Sequence, residues 1–89
     1  MHHATYDDVL VRICDYLSQS VERPLPESLS ATTRLVTDLH LDSMEGAQML
    51  SELEDHYGVT IAVSVLQRAE TLGDIAAVIV SALEAGKRA

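Results

Sequence analysis

One short stretch of this sequence combines residue types and spacing that point to chemistry: Asp42-Ser43-Met44-Glu45, at the end of Asp38-Leu39-His40-Leu41. Asp42 is the kind of residue that accepts from the orphan backbone N–H groups of a first helical turn, and Glu45, three residues on, completes a capping box. Ser43 then takes the first helical position with its hydroxyl turned outward. A serine there is well placed to carry a phosphate ester, because free N–H groups and the positive end of the helix dipole both favour an anion. The same four residues also read as an ordinary helix start, so the remainder of the chain has to decide between the two.

Nucleophilic catalysis fits poorly. Leu41-Asp42-Ser43-Met44 is not the G-x-S-x-G elbow. A base for Ser43 is also hard to find. His56 lies 13 residues further along the same expected helix, about 20 Å away at a rise of 1.5 Å per residue. His40 is close in sequence but has no third group to orient it. The histidines and acids lack metal-ligand spacing, with no H-E-x-x-H and no alternating calcium-loop pattern. The expectation is a protein without catalytic activity of its own and without a metal.

Composition narrows the partners. An 89-residue chain is expected to form one domain over residues 1–89, ordered over about 5–85, with a single modest core. The 47% hydrophobic residues include neither Phe nor Trp, so that core is aliphatic. Fourteen acids against six bases give a net charge of −8, which argues against nucleic acid and for basic protein surfaces. The acids are concentrated: between Leu35 and Gln67 there is no Lys or Arg, while Asp38, Asp42, Glu45, Glu52, Glu54 and Asp55 all fall there. A lone Cys14 fits a reducing compartment and reads as a small core residue. No apolar run approaches the ~20 residues of a membrane span. A cytoplasmic monomer is expected.

The elements that must position Ser43 follow from periodicity. Thr5 caps a first helix running to about Ser20, with Tyr6, Val9, Leu10, Ile13, Cys14, Leu17 and Val21 on one face. Pro24 and Pro26 open a long loop from Glu22 to Leu41, which is expected to be pinned by Leu25, Leu29, Leu35, Val36 and Leu39. A second helix is expected over Ser43–Tyr57, ended by Gly58, with Ala47, Leu50, Leu53 and Tyr57 inward and Gly46 softening its start. A short helix of at most two turns is expected within Ala62–Ala69, with Val65 and Leu66 inward. Thr71-Leu72-Gly73-Asp74 then caps a strongly apolar last helix to about Ala85, before a frayed basic end at Gly86–Ala89. The sum is an all-α bundle of three longer helices and a short one.

In this order, the helix, the long loop, Asp38-Leu39-His40-Leu41-Asp42-Ser43-Met44, the acidic helix, the short helix and Thr71-Leu72-Gly73-Asp74 together resemble an acyl carrier protein of the phosphopantetheine-binding carrier family. The resemblance covers about Val9 to Leu83. It implies that Ser43 is esterified by 4′-phosphopantetheine, delivered from coenzyme A by a magnesium-dependent transferase that also reads Asp42. The prosthetic thiol would then hold acyl groups as thioesters for enzymes of fatty-acid, lipid or related biosynthesis. Partner enzymes with basic patches are expected on Asp38, Met44, Glu45, Ala47, Gln48, Glu52 and Asp55. Met44 stands where the family usually has Leu, Gln48 where it commonly has an acid, and His40 where it often has Gly, so a carrier dedicated to one pathway is as consistent as a housekeeping one. An aminoacyl or peptidyl carrier and an unmodified acidic adaptor are the alternatives. For an acyl carrier, an alkyl chain is expected to enter between the second and third helices, gaining about 0.8 kcal/mol for each methylene taken from water.

Overall fold

The computed structural model describes residues 5–22 and 24–87, with four helices: α1 Tyr6–Ser20, α2 Ser43–Tyr57, α3 Val65–Arg68 and α4 Leu72–Lys87. α1 packs against α4 and α2, and α3 lies against α2. Among the described residues β-pairing is limited to an isolated antiparallel bridge, Arg34 with Thr71. The all-α architecture expected from periodicity is the one observed.

α1 starts as its composition dictates. The Asp8 N–H donates to Thr5 Oγ1 and the Thr5 N–H donates to Asp8 Oδ2, both at 3.2 Å. Val9, Ile13 and Leu17, each four residues apart, are fully buried, as one face of a 3.6-residue helix requires. Leu10, Cys14 and Val21 are half-buried beside them, and Tyr6 is exposed at the edge. Burial, and then the Asp15 carboxylate, push the Cys14 thiol above its ordinary pKa, which disfavours the thiolate.

The long loop is held to α4 by backbone as well as by apolar side chains. The Leu35 N–H donates to the Glu70 carbonyl at 2.9 Å, Leu72 N–H to Thr33 at 3.0 Å and Gly73 N–H to Ala31 at 2.9 Å. Leu35, Leu39 and Leu41 are buried, while Leu25 and Leu29 are half-buried. Val36 departs from expectation: it is 67% exposed. The reason is a helix-like turn, in which Asp38 and Leu39 N–H groups donate to Arg34 and the His40 N–H donates to Val36. That turn puts Leu35 and Leu39 on the inner side, four residues apart, and swings Val36 out.

α2 buries Gly46, Met49, Leu50 and Leu53, not the expected set of Ala47, Leu50, Leu53 and Tyr57. Ala47 and Tyr57 are only half-buried. The observed set has the same three- and four-residue spacing, but it starts on a glycine, which contributes no hydrophobic signal to a sequence pattern. Gly58 ends the helix at φ 68°, ψ 35°, the left-handed conformation in which a residue without Cβ is unstrained. The chain beyond is tied back by the Ile61 N–H, which donates to Glu54 Oε2 at 2.6 Å.

α3 is shorter than the Ala62–Ala69 span expected, because single turns occupy its flanks. The Val65 N–H donates to Ala62 and the Leu66 N–H to Val63, each three residues back. Val65 and Leu66 are half-buried, and no residue of α3 is fully buried. α4 opens on the expected capping box, with the Asp74 N–H donating to Thr71 Oγ1 and the Thr71 N–H to Asp74 Oδ2. Leu72, Ile75, Ala76 and Ile79 are fully buried. The helix extends through Gly86 and Lys87, two residues beyond the expected end; Arg88 and Ala89 lie outside the described residues.

Candidate functional site

Ser43 is the first residue of α2 and is exposed. Its placement is set by its neighbours. The Glu45 N–H donates to Asp42 Oδ1 at 2.7 Å, and the Asp42 N–H donates to Glu45 Oε1 at 3.2 Å. In this reciprocal box each carboxylate accepts one backbone N–H, and Asp42 and Glu45 thereby hold the turn that presents Ser43. The N–H groups of a first helical turn have no intrahelical acceptor, and the dipole adds partial positive charge where a phosphate on Ser43 would sit.

Beside Ser43 the surface is apolar. A cleft of about 140 Å³ is lined by Leu35, Val36, Leu41, Asp42, Ser43, Gly46, Met49, Leu66 and Ala69, from the loop, α2 and the α3 region. Sequence reasoning placed the opening for a chain between the second and third helices, and the cleft lies there. It rested that opening on the soft start of the helix at Gly46, with Ala47 and Met49 nearby; Gly46 and Met49 do line the cleft and Ala47 does not. Leu66 was expected only to face inward, and Val36 was assigned to the core. The residues present fit a prosthetic arm on Ser43: the residue is exposed, and it borders the apolar cleft.

The expected partner residues divide by position. Met44, Gln48 and Asp55 fall on one exposed stripe of α2 together with Ser51, and Met44 is 69% exposed next to Ser43. Ala47 flanks that stripe and is half-buried. Glu52 is exposed on the side toward α1, in a groove of about 290 Å³ that also includes Arg12, Asp15, Tyr16 and His56. The stretch without bases in sequence is therefore met in space by a guanidinium from α1. Asp38 is exposed, and its Oδ2 accepts from the Arg34 N–H at 2.8 Å. Glu54, also in the acidic run, is occupied by the Ile61 N–H. Among the described residues no group of three or more His, Cys, Asp or Glu forms a candidate metal site, and no helix is long and apolar enough to cross a membrane.

A small helical bundle that presents one serine on the first turn of a capped helix, with an apolar cleft at its foot, has the form of a carrier domain. The family model described as "Phosphopantetheine attachment site" matches residues 11–79, and the chain belongs to this phosphopantetheine-binding carrier family. Members of the family carry covalently attached 4′-phosphopantetheine, work with a phosphopantetheinyl transferase and acyl-handling enzymes, and are generally carriers without catalysis of their own. No solved structure matches the chain.

Proposed function

We propose that the protein is an acyl carrier: Ser43 bears the 4′-phosphopantetheine, and acyl groups ride on its thiol as thioesters between enzymes of fatty-acid, lipid or related biosynthesis. The observation that carries the reading is the coincidence of an exposed first-turn Ser43 with an apolar cleft whose lining includes Ser43 itself. Loading forms a bond from Ser43 Oγ to the pantetheine-bearing phosphorus of coenzyme A. The hydroxyl proton leaves, and the adenosine bisphosphate portion departs. The bound group supplies a thiol for thioester formation. The chain supplies the rest: Asp42 and Glu45 fix the turn, the open end of α2 favours the phosphodiester anion, and Leu35, Leu41, Met49 and Leu66 offer an alkyl chain a place out of water.

Incubation with coenzyme A, magnesium ion and a broad-specificity transferase tests the attachment site. Mass spectrometry should find one phosphopantetheine on the wild type and none on Ser43→Ala. An unmodified wild type would leave the acidic adaptor as the reading. Modification of the Ser43→Ala variant would move the site elsewhere.

A further inference from the structure

Between α3 and the start of α4 lies a second cleft, of about 340 Å³. Val65, Arg68 and Ala69 form one wall and Asp74, Ala77 and Val78 the other, each set spaced i, i+3, i+4 as on one stripe of a helix. The apolar part of this lining is open: Ala77 is exposed, and Val65, Ala69 and Val78 are only half-buried. Val63, between the lining residues Ala62 and Ser64, is 65% exposed. Alanines on both walls let another helix come close. The charge pattern differs from that of α2. From His56 to Ala69 the sequence holds no Asp or Glu, whereas α2 carries Glu45, Glu52, Glu54 and Asp55. Arg68, on the α3 wall, makes no ion pair among the described residues, unlike Arg34, which lies 3.6 Å from Glu70. Asp74, on the α4 wall, accepts the Glu70 and Thr71 N–H groups at its carboxyl.

We propose that this cleft docks an amphipathic helix of a partner protein, with aliphatic residues in the cleft, a carboxylate on the Arg68 side and a Lys or Arg on the Asp74 side. Two facing stripes with apolar side chains between them receive helical anchors at i, i+3 and i+4. One cation and one anion on opposite walls fix which way the helix lies and disfavour the reversed one. Neither Ser43 nor any residue of α2 lines this cleft, so a segment held there leaves the serine and the acidic face open. The site therefore suits a tether, which keeps the carrier near its enzymes while a second partner works at Ser43, and it does not depend on what cargo the carrier bears.

The test uses the full chain and a fluorescein-labelled synthetic peptide with leucines at every third and fourth position, Glu along one flank of that stripe and Lys along the other. Fluorescence anisotropy should show saturable binding to the wild type, and amide NMR shifts should cluster at residues 65–69 and 77–78. Ala77→Asp puts a charge on an exposed wall position without emptying the core, and it should abolish binding. Arg68→Glu should weaken binding about fivefold, the scale of one exposed ion pair. A peptide whose Glu flank is changed to Lys should bind Arg68→Glu better than it binds the wild type, and that rescue separates a lost ion pair from a damaged fold. Glu52→Lys with Asp55→Lys should leave binding nearly unchanged, and saturating peptide should not slow phosphopantetheine transfer to Ser43. No binding by the wild type, equal binding by Ala77→Asp, failure of the charge rescue, or shifts confined to α2 overturns the proposal. A wild type that self-associates without peptide, and is monomeric as Ala77→Asp, gives the cleft to a second copy of this chain and overturns it as well.

Discussion

Gly73 and Ala31 cross at backbone distance: the Gly73 N–H donates to the Ala31 carbonyl oxygen at 2.9 Å, and a Cβ on Gly73 would lie 2.9 Å from that same oxygen and 2.5 Å from the Tyr6 hydroxyl. The contact locks the long loop, α1 and the first turn of α4 together, and the loop in turn carries Leu35, Leu39 and Leu41 to the cleft and core around Ser43. The Tyr6 ring can swing outward, but a backbone carbonyl cannot. Gly73→Ala should therefore destabilise the protein by about 1–2 kcal/mol in urea unfolding, the overpacking cost exceeding the helix propensity gained. A stability equal to or above the wild type would show that the crossing relaxes freely.

That glycine also marks where sequence reading stopped. Thr71-Leu72-Gly73-Asp74 was legible as a capping box, because Thr and Asp announce their roles by type and spacing. The carbonyl that Gly73 must admit comes from Ala31, more than 40 residues away, and no local pattern encodes it. The same limit explains α2. Its boundaries, its cap and Gly58 were all readable from local chemistry, whereas its inward face was not, since Gly46 is recognised as buried only once Leu66 is seen over it. Val36 was misplaced because five apolar residues in a loop have no period until the turn at Arg34–His40 assigns them sides. Asp42 and Ser43 were legible because a helix start is local.

His40 precedes Leu41 and Asp42 with φ at 56°, the positive-φ non-glycine residue among those described. A β-branched side chain is strongly disfavoured there, whereas glycine is not. His40→Val and His40→Gly both remove the imidazole, so comparing them isolates the backbone. The valine variant should be the less stable by about 1 kcal/mol, after allowing for glycine's larger loss of freedom on folding. Valine matching or exceeding glycine in chemical denaturation would contradict the left-handed conformation at this position.

Asp74 gives the fold an acid-sensitive joint. The Glu70 and Thr71 N–H groups both donate to its Oδ2, at 2.8 and 3.1 Å, and hold its carboxyl below the usual Asp pKa. With the folded pKa depressed, the stabilisation is present above the unfolded Asp pKa of about 3.9. It is lost as pH falls through the folded value. Asp74→Ala should accordingly melt below the wild type at neutral pH, and the gap should close as pH is lowered below the ordinary Asp range. A gap that stays constant into acid would remove the carboxylate from this role.

Charge reversal on α2 must separate docking from folding, and the structure decides which acids can do so. Glu45 accepts the Asp42 N–H and Glu54 accepts the Ile61 N–H, so replacing either injures the fold. Glu54→Ala strands a part-buried donor, a loss of about 1–3 kcal/mol. Glu52 and Asp55 are exposed and make no such backbone bond among the described residues. If carrier partners approach this face through Lys and Arg, Glu52→Lys with Asp55→Lys should raise the KM of a phosphopantetheinyl transferase several-fold and flatten its dependence on salt. The melting midpoint should stay nearly unchanged, since surface substitutions away from packed or capped positions usually shift stability by no more than about 0.5 kcal/mol. Glu52 shares its groove with Arg12, so Asp55→Lys alone should give the cleaner loss. Unaltered KM and salt dependence in the double reversal would mean that partners approach by Met44, Val36 and the apolar rim of the cleft, and that the acids of α2 serve the helix alone.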